Sequence, residues 1–256
     1  ILMYHHVSPA PGLVTVSPQT FRDQIGGLVQ RGYRSAGCAD LAAFLAGQPL
    51  PDRSVVLTFD DGYLDNFVHA HPVLKEFGFT AVLFLITGRI GDGPPRPVGT
   101  TPDHRACMES VKAGRADDVM LRWSEVETMR AANSFEFHSH THTHTRWDRE
   151  IADPAERDAR LAEDLQRSRA TLTARLGSAS AHLCWPQGYH DAAYRRVAKA
   201  AGFDYLYTVE KGTCLPAADP QRIPRIVTKE RRGNWLRSRL WRYRRPLLAA
   251  AYRALS

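Results

Sequence analysis

Short apolar runs alternate along the chain with amphipathic stretches, and this alternation predicts strands interleaved with helices. Buried strands are predicted at residues 1–7, 54–61, 80–86, 135–139, 182–186 and 204–209. Helical spacing occupies the segments at residues 17–33, 40–47, 66–79, 122–132 and 153–177. At least six strands joined by helices imply a largely parallel sheet. The pattern therefore favours an α/β fold of the (β/α) barrel type over a sandwich.

Two helix starts carry capping signals. Ser17 can cap the helix at 17–33, and Pro18 suits its first turn. Ser124 is predicted to cap the helix at 122–132, with Glu127 completing a capping box. Between strands, residues 88–119 form a Gly- and Pro-rich insertion that is longer than an ordinary connection, which makes it a candidate substrate loop.

The length and composition fit one soluble domain of this type. The chain has 256 residues, of which 43% are apolar and 24% charged, and no run of about 18 apolar residues that could span a membrane. The opening segment has no charged n-region or cleavage site, which favours a cytoplasmic or inner-membrane-associated location over a periplasmic one. Four widely spaced cysteines without a CxxC pair argue against a structural zinc site and hint at a reducing compartment.

The formal net charge of +7 is concentrated at the end of the chain. Residues 229–256 hold nine Lys and Arg against one acid, so residues 1–228 carry about −1. The sequence therefore divides into a domain at 1–228 and a basic tail at 229–256. Apolar side chains lie among the tail's arginines: Trp235, Leu236, Leu240, Trp241 and Leu247. This composition suits either an interfacial helix on anionic lipid or a helix packed on the barrel with a solvated basic face. Nucleic-acid binding is not expected, because the domain is nearly neutral and has no recognition motif.

The stretch "TFDDGY" places two carboxylates, Asp60 and Asp61, at the end of a buried strand. Barrel enzymes carry their catalytic groups at such strand ends. Adjacent carboxylates in apolar surroundings are costly unless a cation or a proton offsets them, which makes a simple helix cap the less favoured interpretation.

The stretch "FEFHSHTHTHTRW" at 135–147 contains four of the chain's eleven histidines. On a strand all four would share a face, whereas in a helical turn His140 and His144 would be neighbours. One aspartate and two histidines form a ligand set with open positions, as in catalytic zinc and some non-haem iron sites. A second aspartate would then be free to act as a base.

These two stretches, in this order and spacing, resemble the first two motifs of the polysaccharide deacetylases, also called carbohydrate esterase family 4 or the NodB-homology domain. The resemblance extends from "LMYHHV" to "YTVEKG" and makes residues 1–228 the expected catalytic domain. It implies a distorted (β/α) barrel of about seven parallel strands. It also implies removal of N- or O-acetyl groups from glycans with one divalent metal, most often zinc, with nickel, cobalt or iron as alternatives.

The resemblance assigns a role to each matching residue. Asp60 would be the general base, and Asp61, His140 and His144 would hold the metal. Thr141 would brace the turn between the two histidines with a hydrogen bond. The other histidines of the stretch would be bystanders or support the ligands: His138 and His142.

The third motif departs from the family's Arg-x-Pro-Tyr pattern. In "LCWPQGY", Cys184 stands where the arginine would be and Gln187 where the tyrosine would be. Another group must therefore orient the base, and the Gln187 N–H becomes the candidate for stabilising the oxyanion. Residues beside the motifs would contact the sugar: Tyr63, Trp147, Trp185, Pro186 and Tyr189. Two further carboxylates are expected to be surface or capping groups: Asp65 and Glu136.

The general acid also departs from the common pattern, because no histidine follows His190 to supply a late Leu-x-Leu-His motif. "YHHV" resembles the start of the poly-N-acetylglucosamine deacetylase subgroup, in which the early histidine is the acid. His5 matches that position and His6 would face the opposite side of a regular strand. A strand-end histidine held only by hydrogen bonds is the alternative, and His6, His190 or a metal-bound water are weaker candidates for the acid.

The sequence thus predicts a metal-dependent hydrolase that removes acetyl groups from an N-acetylated glycan or a glycolipid precursor. The sequence leaves two alternative functions open. The same groups could act on another acyl group or a lipid-linked sugar, as in a deformylase, or the domain could be a glycan-binding module with a degenerate site.

Overall fold

The computed structural model describes residues 1–99, 101–245, 248 and 249. Its strands, in chain order, are β1 (Leu2–Tyr4), β2 (His6–Val7), β3 (Thr15–Val16), β4 (Arg34–Ser35), β5 (Ser54–Val55), β6 (Leu57–Asp61), β7 (Ala81–Leu85), β8 (Phe135–Ser139), β9 (His182–Cys184), β10 (Tyr205–Lys211) and β11 (Ile223–Val227). Its helices are α1 (Pro18–Val29), α2 (Cys38–Leu45), α3 (His71–Phe77), α4 (His104–Lys112), α5 (Trp123–Ala131), α6 (Trp147–Glu150), α7 (Pro154–Leu176), α8 (Ala192–Ala200) and α9 (Gly233–Tyr243).

Seven of these strands close into a barrel in the order β1-β6-β7-β8-β9-β10-β11, with β11 returning to β1. Neighbouring strands are parallel throughout, and Leu2 pairs with Leu57 on one side and with Ile226 on the other. The predicted (β/α) barrel of about seven parallel strands is therefore confirmed. Because parallel strands end at the same edge, side chains that follow β6, β8 and β9 meet at one end of the barrel.

The seventh barrel strand, β11, is absent from the sequence-based prediction. It runs through "IPRIV", where Pro224 and Arg225 interrupt the apolar residues. Proline cannot donate to a sheet ladder, so it lowers the expectation of a central strand. β10 and β11 nevertheless pair, with an irregularity in register between Tyr207 and Lys211. That irregular pairing accommodates the proline inside the closed barrel.

Alternation along the strands separates a helix-facing layer from the barrel interior. In β6, Leu57 and Phe59 belong to the large apolar core under the helices. Thr58 and Asp60, which alternate with them, therefore face inward, where Asp60 is 2% exposed. The carboxylate pair at the end of β6 is consequently delivered into the mouth of the barrel.

The two predicted helix starts have opposite outcomes. Ser17 caps α1 as expected, since its side chain accepts a hydrogen bond from the Thr20 N–H. The Ser124 and Glu127 cap is wrong, because α5 begins at Trp123 and Glu125 instead accepts from the Arg122 N–H at 2.8 Å. Glu125 is fully buried and also binds the side chain of Arg96, which draws the start of α5 towards the insertion.

The insertion at 88–119 contains the regular helix α4, capped by Asp103. α4 packs beside the first motif, where Cys107, Val119 and Met120 surround Tyr63. The segment is therefore attached to the mouth of the barrel by an apolar cluster of its own.

The basic tail returns to the barrel through α9, which packs against α1. Leu236, Leu240 and Tyr243 are buried in the main core, whereas Trp241 is 53% exposed. This arrangement favours the second interpretation of the tail, a helix packed on the barrel, for the part that the structure describes; Leu247 lies outside the described residues. No helix of the described part is both long and apolar enough to cross a membrane.

Candidate metal-dependent active site

A left-handed turn at the end of β6 sets the direction of the two adjacent carboxylates. Asp61 has φ of 77° and Gly62 has φ of 89°, and a Cβ at Gly62 would lie 2.8 Å from Leu85 Cδ2. Glycine is therefore required at position 62, and aspartate is among the few other residues that tolerate positive φ. The turn directs Asp61 towards the histidines that follow β8.

His140 lies directly beyond β8 and is 2% exposed. Its Nδ1 is 2.8 Å from the Cys184 carbonyl oxygen and its Nε2 is 3.3 Å from Asp61 Oδ1. A carbonyl oxygen only accepts, so Nδ1 carries a proton and Nε2 is the nitrogen that faces Asp61. Such orientation by a backbone carbonyl is typical of histidines that bind metals.

His144 reaches the same carboxylate from an irregular turn. Thr141 and His144 have φ of 65° and 64°, and the His144 N–H donates to Thr141 Oγ1 at 3.0 Å. Asp164 of α7 further fixes the turn by accepting from the backbone N–H groups of His142 and Thr143. As a result, His144 Nε2 lies 3.5 Å from Asp61 Oδ1. The bracing role predicted for Thr141 is present in the structure.

The three side chains Asp61, His140 and His144 fit a divalent cation. Their ligand atoms form one of the clusters that could hold a metal. Donor atoms about 2.0–2.2 Å from a tetrahedral zinc ion are about 3.4 Å apart, close to the 3.3 and 3.5 Å separations here. Asp61 Oδ1 is buried and has no hydrogen-bond partner within the described part of the chain. Lone pairs that converge without enough protons repel one another, so this arrangement calls for a cation.

The charge states of Asp61 and His144 suit the binding of a cation. Burial alone would raise the pKa of Asp61, but the histidines that face it hold that pKa well below its usual value. Burial lowers the pKa of His144 to about 3, against the opposing charge of Asp61. An ionised carboxylate and a neutral imidazole are the forms in which these side chains bind metal.

The neighbouring Asp60 is held by a residue that the sequence did not identify. Arg225 of β11 forms a two-pronged ion pair with it, with Nη1–Oδ1 of 2.7 Å and Nη2–Oδ2 of 2.8 Å. Arg225 is fully buried and also donates from Nε to the Thr208 carbonyl oxygen at 2.9 Å. Burial would raise the pKa of Asp60, yet the charge and hydrogen bonds of Arg225 keep that pKa below its usual value. Asp60 is therefore ionised and fixed in position.

Cys184 stands where the family's third motif has an arginine, and its thiol does not supply the positive charge of that arginine. Its Sγ accepts from Arg225 Nη2 at 3.1 Å and lies 3.6 Å from Asp60 Oδ2. The smaller cysteine leaves room for a guanidinium that arrives from β11 instead of β9. In the sequence, this replacement is indicated only by Arg225 itself, an arginine among apolar residues in a strand that was not predicted.

His5 lies between β1 and β2, where the predicted single strand is interrupted. Its Nε2 is 3.7 Å from Asp60 Oδ2, and its side chain is 18% exposed. Burial lowers the pKa of His5, although Asp60 and Asp61 oppose this effect. An uncharged, partly accessible imidazole thus lies on the open side of Asp60.

The other histidines considered as acids are engaged elsewhere. His6 is fully buried, stacks on Tyr63 and binds Asp65 Oδ2 through Nδ1 at 2.5 Å. His190 Nε2 lies 3.4 Å from Glu210 Oε1. The expectation that Asp65 is a surface or capping group is wrong, since it is 2% exposed and fixes His6.

Two of the four aromatic residues expected to contact a sugar are buried, and the other two are half-buried. Tyr63 and Trp185 are each 1% exposed and Pro186 is buried, which corrects their assignment as substrate contacts. Tyr189 is half-buried, and the guanidinium of Arg146 covers its ring at 3.9 Å. Trp147 is half-buried, with its indole N–H donating to Asp164 at 3.0 Å.

Gln187 remains at the rim of the site. It is exposed, has φ of 53°, and its side-chain oxygen accepts from Arg146 Nη1 at 3.3 Å. Its N–H as an oxyanion donor stays a prediction. His142, expected to be a bystander, binds Thr87 Oγ1 through Nδ1 at 3.0 Å, away from the Asp61 cluster.

A comparison with known families decides the identity of the domain. Residues 47–206, well over half of the chain, match the family model described as polysaccharide deacetylase. The chain belongs to the polysaccharide deacetylase family. The resemblance predicted from the two motifs is therefore confirmed.

Individual relatives of this deacetylase-family chain agree with that result. It is 37% identical over 92 residues to YxkH of Bacillus subtilis, an alignment that covers 36% of this chain and only 33% of YxkH. It is 24% identical over 218 residues to the poly-beta-1,6-N-acetyl-D-glucosamine N-deacetylase of Staphylococcus aureus, covering 84% of this chain and 68% of that protein. The structure of IcaB from Ammonifex degensii is similar with a TM-score of 0.75 and 25% identity, over 94% of each chain.

Proposed function

We propose that this deacetylase is a metal-dependent enzyme that hydrolyses the N-acetyl groups of a glycan. The observation that carries the proposal is the convergence of Asp61, His140 and His144 on one point beside the Asp60–Arg225 pair. A divalent metal held by those three side chains would supply positive charge that polarises the acyl carbonyl and acidifies a water. Zinc fits the donor set of one carboxylate and two imidazoles.

The chain's own residues then divide the proton transfers. Asp60, kept ionised by Arg225, accepts a proton from the attacking water. The Gln187 N–H donates to the oxygen that becomes negative in the tetrahedral state. The proton that Asp60 takes from water passes to the uncharged His5, and the resulting imidazolium donates it to the amide nitrogen as the bond from nitrogen to carbon breaks, so that water and amide become acetate and a free amine. The 3.7 Å between His5 and Asp60 keeps both proton carriers beside one reacting centre.

The substrate proposed is an N-acetylglucosamine polymer. The Staphylococcus aureus relative is named for poly-beta-1,6-N-acetyl-D-glucosamine, and its alignment covers most of this chain. The charge of the domain at 1–228 is close to neutral, which is compatible with an uncharged glycan. A glycolipid precursor and contact of the basic tail with a membrane surface remain predictions of the sequence.

The test incubates the full chain, loaded with zinc, with β-1,6-linked and β-1,4-linked N-acetylglucosamine oligomers and measures both acetate and new free amines. Equal amounts of both products, absent in Asp61→Asn, would support N-deacetylation. Acetate without amines from an O-acetylated oligomer would indicate an esterase. Binding of oligomers without either product would indicate a glycan-binding module. Release of formate from a formylated amino sugar, with no acetate from the oligomers, would indicate a deformylase.

A further inference from the structure

A second group of side chains of the types that bind metals lies in the same barrel, at the end where the strands begin. It consists of Cys38, the first residue of α2, with Glu136 and His138 of β8. Their ligand atoms all lie within 4.8 Å of one another. Glu136 and His138 alternate along β8 and share its inner face, and His140 follows directly beyond the end of the strand. The cluster therefore lies deeper in the barrel than His140.

The imidazole of His138 gives the most direct indication of a ligand. The residue is 7% exposed, and its Nε2 is buried with no hydrogen-bond partner among the residues that the structure describes. Nδ1 is hydrogen-bonded to Ser180 Oγ. If Nδ1 donates that bond, the lone pair of Nε2 faces Glu136 Oε1 at 3.4 Å, the donor spacing of about 3.4 Å that a zinc ion requires.

The carboxylate of Glu136 is fixed by the backbone of the helix that supplies the thiol. Its Oε1 accepts from the Cys38 N–H at 2.6 Å. A Cβ at position 37 would lie 2.9 Å from Glu136 Oε2, so Gly37 leaves room for the carboxylate. The Glu136 side chain is 33% exposed, which opens a route for an ion from solvent.

The sulfur of Cys38 is the third donor atom of the cluster, and the hydroxyl of Tyr207 beside it can hydrogen-bond to a thiolate. The residue is 3% exposed, and its Sγ lies 3.4 Å from the hydroxyl of Tyr207. That hydroxyl also lies 3.0 Å from His182 Nδ1. A tyrosine O–H donating to sulfur stabilises a thiolate, as outer partners of metal ligands commonly do.

We propose that Cys38, Glu136 and His138 bind a second divalent cation of the zinc class, separate from the Asp61 site. Binding releases the thiol proton of Cys38 to solvent as the sulfur–metal bond forms. A thiolate, an imidazole and a carboxylate suit zinc or cobalt better than magnesium or calcium, which prefer oxygen ligands. The widely spaced cysteines had argued against a structural zinc site. Cys38 at the start of α2 and Glu136 of β8 are 98 residues apart, so the site has no short ligand-spacing motif in the sequence.

Cobalt(II) tests the proposal, because a cobalt–thiolate bond gives a charge-transfer absorption in the near ultraviolet. The site of Asp61, His140 and His144 contains no sulfur and gives no such band. The metal-free full chain is titrated with cobalt alone, alongside Cys38→Ser, His138→Gln and the matched control Cys107→Ser, which replaces another buried cysteine. Cys184→Ser is included because Cys184 lies beside Asp60 and His140.

The expected result is a thiolate–cobalt band in the wild type that persists in Cys107→Ser and Cys184→Ser and is lost in Cys38→Ser. Elemental analysis should show two zinc ions per chain in the wild type and one in Cys38→Ser, His138→Gln and Asp61→Asn. Tyr207→Phe, which keeps all three donors, should weaken cobalt binding at this site by about 10-fold or more. No band at saturating cobalt would overturn the proposal and leave Glu136 and His138 as an ion pair. A band that survives in Cys38→Ser would also overturn it.

Discussion

Arg225 and Asp60 form a fully buried two-pronged ion pair between the seventh barrel strand and the first carboxylate of the "TFDDGY" motif. The pair connects strands that are not neighbours in the barrel, since β1 lies between β11 and β6. It fixes both carboxylate oxygens of Asp60, the proposed base, and keeps Asp60 ionised. Arg225 therefore takes over the positioning role that position 184 cannot fill with a cysteine.

Arg225→Met should remove most of the activity and much of the stability. Loss of one partner leaves a buried carboxylate without its counter-charge, at a cost of about 3–5 kcal/mol in the free energy of unfolding. Denaturant unfolding and kcat/KM for an acetylated oligomer provide the measurement. Arg222→Met is the matched control, because Arg222 pairs with Glu210 at a half-exposed position three residues earlier and should change both quantities little. Full activity in Arg225→Met would disprove the positioning role.

Asp60→Asn and Asp61→Asn should separate the base from the ligand. The Asp60→Asn variant should retain metal and lose activity by a factor on the order of 10²–10⁴, since an amide cannot accept the proton of water. The Asp61→Asn variant should lose the metal of this site, because it removes the charged oxygen between the two histidines. Metal analysis of folded protein, checked by circular dichroism, distinguishes them. Metal lost from Asp60→Asn but kept in Asp61→Asn would reverse the two assignments.

His5→Ala should affect amides far more than activated esters. An amine leaves poorly without a proton, whereas an aryl oxide leaves without one, so only the amide needs the imidazole as an acid. The metal content should not change, since His5 is not among the residues around Asp61 Oδ1. Rates are compared on an N-acetylated oligomer and on an aryl acetate. Equal losses on both substrates, or an amide-selective loss in His190→Ala instead, would assign the acid to another group.

Thr141→Val should weaken metal binding although Thr141 is not a ligand. It removes the oxygen that accepts from the His144 N–H and so releases the turn that directs His144 towards Asp61. Loss of a hydrogen bond that holds a metal ligand in place typically lowers metal affinity by about 10–100-fold. Thr141→Ser keeps the oxygen and is the matched control. A competition titration against a chelator measures both, and equal affinities in the two variants would show that the hydrogen bond does not matter.

The parts of the fold that were predictable from sequence depend on unbroken local patterns. β6 and β7 are continuous runs of buried residues, and β8 is buried except at Glu136. The two histidines proposed as metal ligands lie in a motif only five residues long. Arg225 could not be predicted, because Pro224 conceals its strand and its partner lies 165 residues earlier. The Cys38 cluster could not be predicted either, since its members come from a helix start and a distant strand. The Ser124 cap of α5 was wrong because the ion pair between Arg96 and the buried Glu125, a tertiary contact, competes with the local Ser124 signal.

The central claim, that the Asp61, His140 and His144 site drives N-deacetylation with a metal, is tested most directly by metal reconstitution. Chelator-treated full chain is titrated with zinc while acetate release from an N-acetylglucosamine oligomer is followed, in wild type, in Cys38→Ser and in His140→Ala. We expect no activity before zinc is added, recovery in wild type and in Cys38→Ser, and no recovery in His140→Ala. Full activity in the metal-free chain, or recovery in His140→Ala equal to that of wild type, would contradict the claim.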